Sequence, residues 1–460
     1  MSQNLLMLTL SFLIPGASAI ASPLQSEAVH HQEEKYLAGF GRMDISPSFD
    51  EIQAGEIHLG GFGLGTKAEG IADPIFARTA ILAELDRSQI MVVSILDLPG
   101  LGNRSIHAIQ RMAAQQTGTP LESIHVGVTH THAGPDLQGL WGGVSDGFRL
   151  SMEVRAAQSI VDAFQALRPA YVSVSGGNGY SKNRRGWDFT DTSITSLEAV
   201  AADSGEHLGV LVNFASHPII LGSRNKLVSS DYCGYLVSRI EAERGGIAVY
   251  ANGVQGDVVP DHAPGDVAVI EGIEEARLYG ELIAGSALTA LESHQERIYP
   301  AKILQQEVRW EQPLSNLIFQ TAWYAGKLKN YEVENHGFLD LKVKTQATYF
   351  RLGDNVQGIV FPGEALSREG IPMKQEMKAE YRLFFGLTGD TLGYFVPSDE
   401  WHSGRNNHYE ELISPNPGAG DHARELITPL ISADNPNFNT LGFDENPRGC
   451  ASRCPRADGH

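Results

Sequence analysis

Residues 123–135 join a short apolar run to two histidines and a sharp turn, and this feature most limits how the chain can fold. The run 123–129 predicts a buried strand, and the Gly-Pro pair after the histidines ends it. Because side chains at positions i and i+2 of a strand point the same way, His130 and His132 should face one site. Such a pair suits a metal ion, although an ordinary polar strand end has the same pattern.

Strand-like and helix-like patterns alternate up to about residue 300, which predicts an α/β fold with a mixed β-sheet core flanked by helices. The predicted strands are 90–97, 123–129, 171–176, 208–214 and 247–251. The predicted helices are 105–116, 148–167, 235–244 and 271–293. Further on, residues 341–352 and 356–361 flank a Gly-Asp-Asn turn and predict a β-hairpin. The glycine-rich stretch 59–65 lacks dinucleotide-binding spacing and predicts a loop.

Composition excludes some functions. The chain has 460 residues, 42% of them hydrophobic, and can bury one large core or two medium ones. A formal net charge of -20 argues against nucleic acid as a partner, because such binding needs a basic surface. The sequence contains no Gly-x-x-x-x-Gly-Lys phosphate loop and no His-Glu-x-x-His helix.

The N-terminal residues 1–21 predict a signal peptide. An apolar run at 5–14 is too short to span a bilayer, and small residues precede a cleavage point after Ala19 or Ala21. No Lys or Arg precedes the run, so a disordered or buried N-terminus is the alternative. We expect a secreted or periplasmic protein with no transmembrane segment in its mature chain.

Three cysteines occur, too few for a cysteine-rich zinc site. Cys450 and Cys454 lie in a C-terminal tail, 447–460, that reads as surface coil, where they either close a small disulfide loop or stay reduced. Cys233 is expected to be a small buried residue.

Polar residues follow three more predicted strands. His217 comes after 208–214, a polar stretch at 252–260 follows 247–251, and Glu364 comes after 356–361. Binding groups gather where strands end in parallel α/β sheets. Taken singly, His217 could be a turn histidine and Glu364 a capping carboxylate, but four such breaks in order favour a common site.

The chain resembles the N-terminal catalytic domain of the neutral, non-lysosomal ceramidase family. The matching segments are Gly39-Phe40-Gly41-Arg42-Met43-Asp44-Ile45-Ser46-Pro47, Asp73-Pro74-Ile75-Phe76-Ala77-Arg78, Thr129-His130-Thr131-His132-Ala133-Gly134-Pro135, Asn183-Arg184-Arg185, Ser216-His217-Pro218, Gly256-Asp257-Val258-Val259-Pro260, Pro362-Gly363-Glu364 and Gly393-Tyr394-Phe395. The resemblance implies one ceramidase-like catalytic domain over 22–446, with a metal site at the C-terminal ends of strands.

The resemblance also implies a ligand set for Zn²⁺, namely His130, His217, Glu364 and Tyr394. Imidazole nitrogen and carboxylate oxygen are ordinary zinc ligands, and catalytic zinc keeps a position open for water. A tyrosine ligand is unusual, and Tyr394 could instead be a core aromatic in the strand-like stretch 392–396.

Catalytic roles follow from the same resemblance. His132 would lie beside the metal without binding it and would move a proton or hold the substrate. Arg184 and Tyr409 would lie over the substrate carbonyl and stabilise the developing oxyanion. The alternatives are a salt-bridge partner for Arg184 and a surface aromatic for Tyr409, whose match is loosened by an insertion around 403–407.

Three carboxylates, Asp97, Asp231 and Asp257, are candidates for hydrogen bonds that orient the ligating histidines. They could equally cap strand ends. Three aromatics near the loops, Trp141, Trp187 and Phe189, could line an acyl pocket or simply pack.

Two departures from the family pattern affect the expected substrate. Val259 stands where ceramidases have a serine, so a nucleophilic or hydrogen-bonding hydroxyl is missing there. The chain also ends too early for the family's C-terminal immunoglobulin-like domain. The leading hypothesis is a zinc-dependent hydrolase that cleaves a small or lipid-like N-acyl amide by metal-activated water. The alternatives are a zinc hydrolase for another amide or an ester, and a non-catalytic ligand-binding homologue.

Overall fold

The computed structural model describes residues 34–261 and 272–438. The predicted signal peptide 1–21, the tail 447–460 and the Cys450 and Cys454 pair lie outside these ranges. None of the helices in the described ranges has the length and apolar character needed to cross a membrane. Cys233 is buried, as expected.

Twenty strands and nine α-helices are formed in the described residues. The strands are β1 Tyr36–Asp44, β2 Gly70–Ile71, β3 Phe76–Ala83, β4 Ile90–Leu96, β5 Ile124–Val128, β6 Arg168–Asn178, β7 Ser181–Asn183, β8 Ser193–Ala201, β9 His207–Phe214, β10 Leu227–Val228, β11 Ile247–Asn252, β12 Val258–Pro260, β13 Glu296–Arg297, β14 Ile303–Pro313, β15 Val333–Gly337, β16 Asp340–Leu352, β17 Val356–Val360, β18 Glu364–Ala365, β19 Tyr381–Phe385 and β20 Tyr394–Phe395. The helices are α1 Phe49–Gln53, α2 Asn103–Thr117, α3 Asp146–Gln165, α4 Tyr232–Arg244, α5 Ile273–Ser293, α6 Leu317–Tyr324, α7 Ser367–Glu376, α8 Tyr409–Leu412 and α9 Ala419–Asp434.

The largest sheet has the strand order β11-β9-β8-β6-β1-β3-β4-β5, with β13 added to β6. This sheet is mixed, as predicted, but most pairs of neighbouring strands within it are antiparallel. Its parallel pairs are β4 with β5 at one edge and β9 with β11 at the other. Each of these pairs is joined by a helix, α2 or α4, so the helix-strand alternation in the sequence reflects two βαβ units at opposite edges.

The two edges of the large sheet are connected by backbone hydrogen bonds to a separate segment of the chain, residues 386–387. The amide of Gly386 donates to the carbonyl of Asn252 at the end of β11, while the carbonyl of Leu387 accepts from Val128 at the end of β5. The side-chain amide of Asn252 also donates directly to the carbonyl of Thr129 at 3.0 Å. The C-terminal ends of β5 and β11 therefore lie side by side, although the strands are far apart in the sheet order.

A second sheet, β14-β16-β17-β19 with β15 on β16, contains the predicted hairpin as β16 and β17. It shares a core with the large sheet, in which Leu211 and Val249 pack with Phe350 and Phe385. Helices cover the outer faces, and α3 approaches β1 closely because Gly41 has no side chain. A Cβ there would lie 2.2 Å from the carbonyl oxygen of Ser159.

The buried carboxyl group of Asp390 predicts how the folding stability of the protein changes with pH. The Asp390 carboxylate is buried and accepts a hydrogen bond from the amide of Thr391, and burial raises its pKa to about 7. The unfolded chain releases this proton near pH 4, so folding stability falls as pH rises from about 4 to about 7. In Asp390→Asn this loss, at most about 1.4 kcal/mol per pH unit, should disappear. Apparent melting temperatures across this range measure it.

The control is Asp188→Asn, which changes an exposed carboxylate and should leave the pH profile of the parent unchanged. Parallel profiles for Asp390→Asn and the parent would contradict the prediction.

Candidate metal centre

His130 and His217 present the same ring atom to a common point. His130 follows the edge strand β5 and His217 follows β9, the neighbour of the opposite edge strand β11, so both come from C-terminal ends of strands. Their Nδ1 atoms contact backbone carbonyl oxygens, that of Pro99 at 2.5 Å and that of Val258 at 2.9 Å. An Nδ1–H donated to a carbonyl leaves the lone pair on Nε2, as in histidines that bind metals.

Glu364 and Tyr394 complete this group from the other half of the chain. They are direct partners in the parallel pair of β18 and β20, so their side chains leave the backbone together. Glu364 Oε2 lies 3.3 Å from His130 Nε2 and 3.1 Å from His217 Nε2. The hydroxyl of Tyr394 lies 3.3 Å from His217 Nε2.

These separations and donor atoms fit a metal ion. Four ligands around a tetrahedral zinc at about 2.0–2.1 Å lie about 3.3 Å from one another. The Oε2 atom of Glu364 is buried and has no hydrogen-bond partner in the described residues, which a cation would supply. The histidines His130, His132 and His217 form a buried group that could hold a metal ion.

His132 differs from the other two imidazoles in its anchoring. Its Nε2 is 3.2 Å from His130 Nε2, but its Nδ1 is buried and lacks a partner among the described residues. Its ring packs edge-on against Phe62, with the centroids 4.8 Å apart. Without a carbonyl to hold its tautomer, His132 has the environment of a neighbour of the metal rather than of a fixed ligand.

Burial and local charge set the protonation of these groups. Burial, assisted by Arg184, lowers the pKa of His217 to about 4, and burial with the charge of His130 lowers that of His132 well below its usual value. Burial alone would raise the pKa of Glu364, but attraction to His130 and His217 outweighs it and holds that pKa well below normal. A neutral imidazole and an ionised carboxylate are the forms that bind metals.

Arg184 is held in place by three acceptors beside this group. Its Nε donates to Glu410 at 2.9 Å, and its Nη2 donates to the carbonyl of Gly256 at 2.9 Å and to the Tyr394 hydroxyl at 3.0 Å. Glu410 also accepts from Arg185 at 2.7 Å, and the carboxylate is fully buried. Glu410 is not among the residues predicted for this site. The adjacent Arg184 and Arg185 were the available signal, since buried guanidinium groups need a carboxylate.

Tyr409 reaches the same place from the segment after β20. The Arg184 guanidinium carbon lies 5.3 Å from the centre of its ring, and the ring centres of Tyr409 and Tyr394 are 6.0 Å apart. The ring is 37% exposed, so it lies at the solvent side of the group. Arg184 is a salt-bridge partner of Glu410, the alternative reading from the sequence, and its guanidinium also lies beside the histidine group.

The three predicted orienting carboxylates do not bind the histidines. Asp97 accepts from the amide of Phe76, Asp231 caps α4 and accepts from Leu221, and Asp257 accepts from Ser367 and Asn183. Carbonyl oxygens take the role that the sequence analysis gave to these side chains. Asp231 caps the start of a helix, not the end of a strand as the alternative reading had it.

Val259, at the family's serine position, lies in β12 next to Val258, whose carbonyl holds His217. It pairs with Lys182 of β7 and is partly buried. The missing hydroxyl therefore lies close to the histidine group in the chain, but the ligand geometry forms without it.

An apolar groove of about 570 Å³ begins at the predicted glycine-rich loop. This loop places Phe62 on His132 and contributes the largely exposed Leu64 to the groove, opposite Leu317 and Ile318 of α6. Trp141 also lines the groove. Trp187 and Phe189 stack on each other elsewhere, with ring centres 5.8 Å apart, so of the three predicted pocket aromatics only Trp141 lies at this groove.

Comparison with solved structures identifies the fold. No family model matches the sequence. The crystal structure of neutral ceramidase from Pseudomonas aeruginosa matches with a TM-score of 0.73 at 17% identity, over 88% of this chain and 75% of that chain. A ceramidase complexed with C2 gives the same TM-score and identity over 91% of this chain and 78% of that one. The chain therefore has the neutral ceramidase fold that its motifs predicted.

Proposed function

We propose that this protein is a zinc-dependent hydrolase that cleaves the amide bond of an N-acyl, lipid-like substrate. The observation that carries the proposal is the convergence of two carbonyl-anchored histidines, His130 and His217, with Glu364 and Tyr394. The fold supports it, because the matching solved structures are ceramidases.

The residues His130, His217, Glu364 and Tyr394 would hold the zinc. When bound, zinc lowers the pKa of a water molecule toward about 7 and polarises a carbonyl group. The ligands are nearly inaccessible to solvent, so electrostatic interactions at this point are stronger than in water.

Arg184 is the group we assign to the substrate carbonyl oxygen. Its Nε and Nη2 are occupied, whereas its Nη1 makes no hydrogen bond to any described residue and is left to donate. Because Glu410 and Gly256 fix the guanidinium beforehand, little reorganisation accompanies the appearance of negative charge on that oxygen. Tyr409, beside Arg184, would add a phenol donor at the solvent side.

His132 is the group we assign to proton movement. Its Nδ1 has no protein partner and its ring touches the histidine pair, so it can accept a proton and return it to the leaving amine. The glycine-rich loop 59–65, which carries Phe62, would then connect the reacting amide to the apolar groove. There an acyl chain could bury its surface against Trp141 and Leu317.

The experiment measures metal content and hydrolysis on one purified sample. We expect at least one zinc ion per chain by mass spectrometry, loss of activity on chelation, and its return when zinc is added. The substrates are fluorogenic N-acyl amides of increasing chain length, each paired with the ester of the same acyl group. Preference for long-chain amides supports the proposal. A protein that binds no metal when purified without chelators, or that cleaves only esters, would contradict it.

Gly61→Ala tests the position of His132. A Cβ at Gly61 would lie 2.3 Å from Cγ of the imidazole, so the ring has to move, and a displacement near 1 Å can cost about 10²-fold in rate. Gly65→Ala is the matched control in the same loop. Its φ is also positive, at +75°, but no atom lies within 4 Å of the added carbon. We expect only Gly61→Ala to lower kcat strongly, and equal rates for the two variants would contradict the assignment.

A further inference from the structure

A second group of metal-binding side chains lies outside the site described above. His402, His408 and Glu411 come from the segment between β20 and α9, where the chain carries the insertion noted at 403–407. One donor atom from each residue lies within 4.8 Å of the others. We propose that these three side chains form a second site for a divalent transition-metal ion such as Zn²⁺.

The carboxylate of Glu411 is the centre of this group. Its Oε2 lies 2.9 Å from Nδ1 of His408 and 3.7 Å from Nδ1 of His402. The side chain is only 5% exposed, yet its other oxygen, Oε1, is buried without a hydrogen-bond partner in the described residues. A buried carboxylate oxygen without a partner costs free energy, and a cation held by both imidazoles would offset that cost.

The donor set selects the class of metal. Two imidazole nitrogens and one carboxylate oxygen suit zinc, copper, nickel or cobalt, whereas Mg²⁺ and Ca²⁺ prefer oxygen ligands only. The His402 ring is mostly exposed, so water can fill the remaining positions. The positive charge of the nearby Arg405 does not oppose metal binding directly. Its guanidinium donates to the carbonyl of Arg185 and pairs with Glu400.

Occupation of this site would restrain the segment that carries Tyr409 and Glu410. His408 immediately precedes Tyr409, and Glu410 holds Arg184 and Arg185. An ion shared by His402, on one side of the insertion, and His408 with Glu411, on the other, would link its two ends. Metal binding at this second site does not depend on the proposed function. Only an effect of that metal on hydrolysis would rest on the proposed function.

Zinc stoichiometry tests the site. Protein stripped with chelator is dialysed against Zn²⁺, freed of unbound metal and analysed by mass spectrometry, for the wild type, His402→Ala, His217→Ala and the double variant. We expect His402→Ala to hold about one zinc ion fewer than the wild type, and the double variant about one fewer than His217→Ala. The same comparison with His408→Ala should give the same loss.

The two proposals fail in different ways in this design. If His217 does not hold zinc, wild type and His217→Ala bind equal zinc while the loss from His402→Ala persists. If the second site does not exist, His402→Ala and its parent bind equal zinc. His294→Ala is the matched control, because it removes an exposed histidine paired with a single carboxylate, Glu296, at 3.1 Å, and should retain all the zinc.

Limited trypsin digestion tests the restraint on the segment. Arg405 lies inside the insertion and offers a cleavage point between the two histidines. Added Zn²⁺ should slow cleavage after Arg405 at least about tenfold in the His217→Ala chain, and have no such effect when His402→Ala is also present. Equal cleavage rates with and without Zn²⁺ in the His217→Ala chain would overturn the proposed restraint.

Discussion

Under the proposed function, His217→Ala should abolish zinc binding beside Glu364 and lower amide hydrolysis by at least about 10³-fold. A metal ion supplies several kcal/mol of transition-state stabilisation, and each 1.36 kcal/mol is a factor of ten in rate. The ring is fully buried, its Nδ1 is held by Val258, and its Nε2 lies between Glu364 and Tyr394. Steady-state kinetics and metal analysis on the same sample give the result.

Two further variants separate this effect from general damage to the core. Glu364→Gln keeps the shape of a ligand but removes its charge, and it should reproduce the loss of zinc. His125→Gln changes a different buried histidine, which lies on β5 five residues before His130. The Nε2 atom of His125 is hydrogen-bonded to Gln305. This variant should keep zinc and activity. Full activity in His217→Ala, or equal losses in all three variants, would contradict the assigned ligand role.

The sequence predicted which residues converge better than it predicted the bonds that position them. His130 and His217 were found because each follows an apolar strand, and Glu364 because a Pro-Gly turn presents it after another strand. The structure brings these residues together with Tyr394. The histidine acceptors were missed because they are backbone carbonyls, which every residue carries and no sequence pattern marks.

The strand order was beyond the reach of the sequence as well. Two βαβ units could be read from the alternation, but nothing local showed that antiparallel strands would separate them. The contact between the two edges depends on backbone hydrogen bonds from residues 386–389 to strands that lie more than 130 positions earlier. Glu410 was missed for a similar reason, since its partner Arg184 is 226 residues away.

Removal of the charge on the Glu410 carboxylate should destabilise the fold strongly. Glu410→Gln would leave Arg184 and Arg185 without their shared counterion, and breaking a buried ion pair on one side typically costs about 3–5 kcal/mol. We expect a clear fall in the apparent melting temperature and, because Arg184 loses its anchor, a lower kcat. Thermal unfolding and steady-state kinetics measure the two effects. Glu274→Gln, which breaks an exposed pair with Arg277, should change neither.

A double variant distinguishes lost charge balance from lost packing. Arg185 is fully buried and keeps only a longer contact, 3.4 Å to Glu400, once Glu410 is changed, so Arg185→Leu in the Glu410→Gln background removes a poorly compensated charge and should recover part of the stability. Activity should stay low, because Arg184 still lacks the acceptor that fixes its Nε. If Arg185→Leu lowers stability further, the guanidinium contributes mainly through packing. In that case the Glu410 carboxylate is not the charge on which this part of the fold depends.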